Sequence, residues 1–352
     1  MSNSSNTGGN WRSALQRAWL KRGPIACLLW PVSLVYAALV ACRRQSYRLG
    51  LAQVQKVDAL VIVVGNVVAG GAGKTPTVIA LVQHLRAQQQ VVGVISRGYG
   101  RNNSDCLEVM ADAEPQTVGD EPLLICRATG APVFVASTRY AAARALLARY
   151  PKTRTIVCDD GLQHYALYRD VEICVFDDRG CGNGWQLPAG LLRETWPRAP
   201  LTRAGQDDAR LLVLHTGSQP AFAGFGANRS LAGFARGRDG SQVALDSLRL
   251  TGAKPVAALA GIAQPGSFFA MLRALQVPVT KTVALPDHYD YAQLVPSDFV
   301  GMQILCTEKD AAKLWQVVPD AWAVPLQFEP EAAFFTALDR AVSAHAAAAK
   351  LS

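Results

Sequence analysis

Two kinds of apolar run punctuate this chain of 352 residues. The first is long: Ile25 to Cys42 carries no charged residue, and Lys21-Arg22 and Arg43-Arg44 flank it. The others are short and rich in β-branched residues. Asp58-Ala-Leu-Val-Ile-Val-Val-Gly65 predicts a buried strand. A glycine-rich stretch follows, then an amphipathic helix through Val78, Leu81, Val82 and Leu85. Further strands are expected at Val91–Ile95 and around Thr155–Cys158, alternating with helices to about Leu214. That alternation predicts a doubly wound, mostly parallel α/β sheet. Gly217 to Gly226, which includes Pro220, reads as a linker. Beyond it, Lys254–Gly261 restarts a buried strand, Phe268-Phe269 to Leu275 forms a helix, and an Ala-rich helix begins near Pro330. The expected organisation is an N-terminal apolar and basic segment at 1–57, a nucleotide-binding domain at 58–215, a linker at 216–228, and a smaller C-terminal α/β domain at 229–352. No internal repeat is visible at a fixed period.

Charge changes how the first run is read. The net charge of +8 resides in residues 1–57, which hold eight basic residues and no acidic one; the rest of the chain is balanced. A basic face over the catalytic body, as nucleic-acid binding requires, is therefore not expected. A length of 18 residues is the lower limit for crossing a bilayer, cations on both flanks specify no orientation, and Pro31 is expected to bend or interrupt a helix. The favoured expectation is a helix dipped into the cytoplasmic face of a membrane, with Trp11, Trp19 and Trp30 at head-group depth and the cations on anionic lipid. A true span and a buried core helix remain the alternatives. Residues 1–10, rich in Ser, Asn and Gly, read as disordered. The eight cysteines are scattered without metal spacing and fit a reducing compartment.

Candidate chemistry begins where the first strand ends. Val68-Ala69-Gly70-Gly71-Ala72-Gly73-Lys74-Thr75 sits between a strand and a helix, the placement a P-loop needs. Its backbone N–H groups would curl around phosphate oxygens at the positive end of the helix dipole. Lys74 would reach the β- and γ-phosphates, and the Thr75 hydroxyl would hold Mg²⁺. Val68 stands where the general pattern has its first glycine. A second apolar strand ends in Asp159-Asp160. In an open parallel sheet the strand carboxyl ends line the ligand crevice, so either aspartate would meet Mg²⁺ beside Thr75. A plain strand-ending turn is the alternative.

At this point the chain resembles the tetraacyldisaccharide 4′-kinase family of lipid A synthesis. The motifs that carry the resemblance are Gly65-Asn66 with Gly70 to Pro76, Ser96-Arg97-Gly98-Tyr99-Gly100-Arg101, Gly119-Asp120-Glu121-Pro122 and Asp159 to Tyr165. They continue with Gly182-Asn183-Gly184-Trp185, Leu187 to Glu194, Asp287-His288 and Thr307-Glu308-Lys309-Asp310. Three departures occur: Leu191 where a proline is usual, Asp178-Arg179-Gly180-Cys181 without the common aromatic, and Pro286 in place of a small residue. The resemblance implies a P-loop domain closing against a smaller α/β domain, ATP and Mg²⁺ as cofactors, and a lipid A disaccharide precursor as substrate. It places the protein on the cytoplasmic face of the bacterial inner membrane, with no obligate protein partner.

The resemblance also implies roles. Asp120 would take the hydroxyl proton and His288 would pair with it; helix capping is the other explanation for Asp120. Arg97, Tyr99 and Arg101 would grip the substrate's 1-phosphate or sugar. Glu121, Gln163, His164, Arg193 and Glu194 are further substrate candidates, with Glu194 also a possible Mg²⁺ contact. Lys309 and Asp310 are explained almost as well as a plain helix start. His84 is expected on a solvated helix face. A GTPase would show Asn-Lys-x-Asp, which Thr307-Glu308-Lys309-Asp310 does not match. A catalytically silent nucleotide-binding scaffold is the remaining class.

Overall fold

The computed structural model describes residues 18–198, 210–250, 254–287 and 289–348. The predicted N-terminal tail, Trp11 and His288 lie outside the described residues. Helix α1 spans Pro24–Arg48. Pro24 opens it, where the missing N–H would have had no helical partner. Pro31 lies inside the helix and does not end it. Contacts on one side hold the helix across that point: the Ser33 hydroxyl donates to the Gln186 carbonyl at 2.7 Å and the Tyr36 hydroxyl to that of Arg193 at 3.0 Å. On the other side Leu28, Val32, Val35 and Leu39 are exposed, Leu28 to 80%. The buried core helix, one of the expected alternatives, is not what forms.

The core runs β1 (Leu60–Gly65), α2 (Lys74–Ala87), β2 (Val92–Ser96), β3 (Leu107–Glu108), α3 (Pro115–Val118), α4 (Asp120–Thr129), β4 (Val133–Val135), α5 (Arg139–Arg149), β5 (Thr155–Cys158), β6 (Val171–Phe176) and β7 (Arg210–His215). β1 lies between β5 and β6, parallel to both, with Leu60 opposite Thr155 and Gly65 opposite Cys174. All six of its residues are buried, which is why its sequence is apolar without alternation. This centre puts the end of β1 and the end of β5 side by side. Gly65 allows the close approach: a Cβ there would stand 2.8 Å from the Leu162 side chain.

The chain continues through β8 (Phe225–Leu231), β9 (Phe234–Arg236), β10 (Gln242–Ala244), β11 (Val256–Ala260), α6 (Pro265–Ala274), β12 (Val279–Ala284), β13 (Gln303–Thr307), α7 (Glu308–Val317), β14 (Trp322–Val324), β15 (Leu326–Pro330) and α8 (Ala332–Ala348). Among the described residues a six-stranded sheet of order β10-β9-β14-β13-β11-β12 forms the second lobe. The first sheet has nine strands, in the order β15-β8-β7-β6-β1-β5-β2-β4-β3. The expected boundary therefore needs correction. β8 pairs with β7, and β15 pairs with β8, so both extend the first sheet. α8 returns to the first core, where Phe334, Leu338 and Ala341 are buried. The second lobe is an insertion between β8 and β15, and residues 326–348 belong with the first lobe. Strand and helix signals are local and do not reveal which sheet edge an element completes; here β8 and β15 cover the β7 edge.

His84 also differs from expectation. It stacks on Phe335 of α8 with ring centroids 4.1 Å apart and bonds Asp339 at 2.9 Å. An apolar partner arriving from the chain end turned a solvated face into a helix–helix contact.

Candidate active site

A cleft of about 1450 Å³ separates the lobes. Gly70, Gly71, Gly73, Lys74 and Thr75 line one wall, and Asp160, Arg193, Glu121 and Tyr99 also reach it. Asp287 and Lys309 approach from the inserted lobe. The volume exceeds that of an ordinary small-molecule pocket and leaves room for a nucleotide and a sugar together.

The loop after β1 turns into α2 through Gly73, whose φ of +87° is a left-handed conformation that favours glycine. Lys74 and Thr75 then occupy the first turn. The Lys74 ammonium lies 3.4 Å from Asn66 Oδ1 and 3.5 Å from Asp160 Oδ1. Val68 and Ala72 are buried, and the Ala69 amide donates to the Leu191 carbonyl at 2.7 Å. The segment with Leu191 thus supports the loop from below.

Asp159 and Asp160 follow β5 with different surroundings. Asp159 is buried; Ser96 Oγ donates to its Oδ2 at 3.1 Å, while its Oδ1 has no hydrogen-bond partner. Burial, with the nearby charges of Glu121 and Asp160, pushes its pKa up to about 7. Asp160 takes a φ of +46° and turns its carboxylate towards Lys74 and Arg193, the latter at 3.8 Å. An orphaned buried carboxylate oxygen, a second carboxylate and a hydroxyl at the helix start fit a magnesium ion that also takes phosphate oxygens. Among the described residues no three His, Cys, Asp or Glu side chains form a ready-made metal cage.

Asp120 and Glu121 open α4, and each meets a lysine of α7. Lys313 Nζ lies 2.6 Å from Asp120 Oδ2, and Lys309 Nζ lies 3.3 Å from Glu121 Oε1 and 3.1 Å from Asp287. Asp287, next to His288 in sequence, is thereby brought to the same edge of the cleft as Glu121. Asp310 instead caps its own lobe, accepting from the Gly261 amide at 3.0 Å and from Thr307 Oγ1 at 2.6 Å.

Other candidates are placed differently. Tyr99 is exposed on the cleft, but Arg101 folds back onto Asn103 and the Asp105 carbonyl within its own loop. The expected pair of guanidiniums therefore does not present itself as one grip, because Arg101 has nearer acceptors. Gln163 donates to the Asn66 carbonyl at 3.1 Å and to Glu194 at 2.8 Å. His164 stays neutral: burial lowers its pKa to about 4, helped by Arg139, Arg97, Arg169 and Arg43. Glu194, a candidate substrate or magnesium contact, is fully buried. It accepts from Tyr165 at 3.0 Å and pairs with Arg44 of α1 at 3.4 Å and Arg198 at 3.6 Å. Those partners use its oxygens, so it anchors the loop that carries Arg193 instead of facing the cleft.

Arg139, Asp177 and Arg179, like Lys313, were not singled out from sequence. Arg139 is buried and donates to the carbonyls of Asp159 at 3.0 Å and Asp160 at 2.9 Å. A cation in the first turn of a helix opposes the helix dipole, and that mismatch was the available signal. Asp177 and Arg179 follow β6; Arg179 donates to two carbonyls of the phosphate loop and pairs with Asp177. Arg179 stood in a stretch noted only as a departure from the family pattern, with no role attached, and Asp177 lay just before it.

Comparison with known proteins adds four findings. The family model described as LpxK, tetraacyldisaccharide-1-P 4′-kinase, matches residues 25–343. A protein from Polaromonas naphthalenivorans (strain CJ2) named tetraacyldisaccharide 4′-kinase is 55% identical over 333 residues, covering 93% of this chain and 94% of that protein. One of the same name from Acidovorax ebreus (strain TPSY) is 52% identical, covering 92% and 93% respectively. Among solved structures, the "apo" form of LpxK from Aquifex aeolicus in complex with ATP superposes with a TM-score of 0.72 at 27% identity, covering 90% of this chain and 98% of that one. With the family model spanning most of its length and relatives above half identity, this chain belongs to the tetraacyldisaccharide-1-P 4′-kinase family.

Proposed function

We propose that this protein transfers the γ-phosphate of ATP to the 4′-hydroxyl of a tetraacylated glucosamine disaccharide 1-phosphate, a step of lipid A synthesis, at the cytoplasmic face of the bacterial inner membrane. The observation that carries this proposal is the convergence, along one interlobe cleft, of a phosphate loop, Asp160 and Glu121, which directly follow Asp159 and Asp120 in the chain. A relative bearing the same activity in its name aligns along nearly the whole chain.

Phosphoryl transfer leaves a protein mainly positioning and charge neutralisation. The loop amides and Lys74 hold the β- and γ-phosphates. Thr75, Asp159 and Asp160 are the residues that would hold Mg²⁺, which when bound neutralises charge on the phosphates. Asp120 accepts the proton of the sugar hydroxyl, with His288 as its partner. Lys309, held by Asp287 of its own lobe, meets Glu121 across the cleft and draws the lobes together over the reacting groups. Arg193 and Tyr99 face the cleft as contacts for the substrate. The exposed apolar side of α1 would lie in the acyl region of the membrane, where a four-chained lipid presents its head group.

The test follows the labelled γ-phosphate of ATP in detergent-dispersed lipid. Label is expected on the disaccharide, and ATP turnover is expected to depend on it. Equal ATP turnover with and without the lipid would overturn the assignment in favour of a plain ATPase.

A further inference from the structure

The phosphate loop is held from behind by side chains. The Ala69 carbonyl accepts from Arg179 Nη1 at 3.1 Å and the Gly71 carbonyl from Arg179 Nη2 at 3.2 Å. Between them, the Gly70 carbonyl accepts from Asn66 Nδ2 at 3.0 Å. Thr216 Oγ1 donates to the next carbonyl, that of Ala72, at 3.0 Å. A trans peptide is planar, so its N–H points opposite to its C=O. Anchoring these four carbonyls therefore aims the amides of Gly70, Gly71, Ala72 and Gly73 the other way. None of the four amides donates to another group among the described residues. Consecutive free amides on one side of a loop make an anion-binding concavity.

Arg179 supplies two of the four anchors and is itself fixed. Its Nε lies 3.0 Å from both carboxylate oxygens of Asp177, and its Nη2 lies 2.8 Å from Oδ2. Asp177 is buried, and Gln264 of the inserted lobe donates to its Oδ2 at 2.6 Å. Gln264 is the residue just before α6. One planar guanidinium thus joins two loop carbonyls to a carboxylate that the other lobe also grips. An ammonium group cannot reach all of these at once.

We propose that Arg179 is a positioning residue for the nucleotide phosphates: it orients the loop amides, and Gln264 acting through Asp177 couples that orientation to the inserted lobe. The proposal rests on Gly70–Thr75 being the phosphate loop. Its prediction concerns phosphates and not the nucleoside, which separates it from a general role in folding.

The experiment measures dissociation constants of ATP and of adenosine for the full chain and for Arg179→Met, Arg179→Lys, Gln264→Ala and Lys74→Met. Arg179→Met is expected to weaken ATP by about tenfold to a hundredfold, the range for losing charge-assisted hydrogen bonds, and to leave adenosine unchanged. Arg179→Lys should fall between Met and wild type, and Gln264→Ala should show a smaller loss, again for ATP alone. Unchanged ATP affinity in Arg179→Met overturns the proposal, as does an equal loss for ATP and adenosine. If Arg179→Met does not fold, Arg179→Lys decides, and a wild-type ratio of ATP to adenosine affinity then overturns it. Unchanged ATP binding by Lys74→Met would overturn the phosphate-loop assignment itself and the proposal with it. Loss in Lys74→Met together with wild-type binding by Arg179→Met removes the proposal alone.

Discussion

The Glu194 carboxylate is sealed between the guanidiniums of Arg44 and Arg198, the latter also paired with Glu172 at 3.0 Å. Glu194→Ala removes one fully buried charge from this network and leaves Arg198 with Glu172, so a loss of about 3 kcal/mol in unfolding free energy, the lower end for a broken buried pair, is expected. Urea titration measures it, and a loss below about 1 kcal/mol would show that the buried network does not depend on this residue. His164 gives a pH signature at the same scale. Its folded pKa of about 4 lies below the ordinary 6.5, so in that window the unfolded chain binds a proton that the folded chain refuses. This contribution is intact above pH 6.5 and is lost as pH falls towards 4. Unfolding midpoints measured from neutral to acid pH should fall less steeply in His164→Gln than in the wild type. Parallel curves would show that the imidazole titrates normally. For Asp120, replacement by Asn should lower the single-turnover rate by about 10²–10⁴-fold, the range for a lost general base, with ATP affinity little changed. A shift in ATP affinity as large as the shift in rate would instead tie Asp120 to the nucleotide.

Among the elements, α1 has two faces with separate tasks. Its apolar side is exposed, while Ser33, Tyr36 and Arg44 hold the segment that carries Arg193. Deleting residues 1–57 should therefore abolish binding to anionic vesicles and also depress phosphotransfer to lipid already dispersed in detergent. Sedimentation and the labelled-phosphate assay read the two effects, and a truncated protein with full activity in detergent would limit the helix to anchoring. Intact protein should leave such vesicles as salt rises, because the cations act within a screened distance. How much of this was readable in the sequence follows from distance along the chain. The β1–loop–α2 unit and the Asp159-Asp160 turn were legible because each is continuous and its periodicity is local. Arg139, Arg179 and Lys313 were not, because each reaches the site through a partner more than a dozen residues away and nothing local marks the meeting. Glu194 belonged to a recognisable motif, yet its role depended on Arg44, 150 residues away.

In the whole molecule, the lobes meet through ion pairs spaced one helical turn apart on α7. Lys309→Met and Lys313→Met should each lower kcat/KM for the lipid by roughly tenfold, the value of a partly buried charged hydrogen bond. Both losses should shrink at high ionic strength, where the wild-type pairs are also weakened. Unchanged kcat/KM in both variants would show that closure does not depend on them. The lobe boundary was the feature least visible beforehand. A strand at residues 225–231 and another at 326–330 look alike as sequence, and the open edge at β7 decides where they go.

That arrangement has a consequence for how the protein is made. The catalytic lobe opens with β1 but is completed by β15 and α8, the last described stretch of the chain to be synthesised. At about 5–20 residues per second, the ribosome needs on the order of 15 to 55 seconds to pass from the first strand to the last helix. For the first part of that interval no strand of the inserted lobe has been made; the lobe then acquires all six before β15, while the lobe that holds the phosphate loop still lacks the cover of Phe334 and Leu338. A nascent chain released between Asp160 and α8 would carry the whole phosphate loop and the carboxylate pair on an unfinished core. Completion of the catalytic lobe thereby waits for the synthesis of α8, and a product terminated before it would be a substrate for proteolysis and not a partial enzyme.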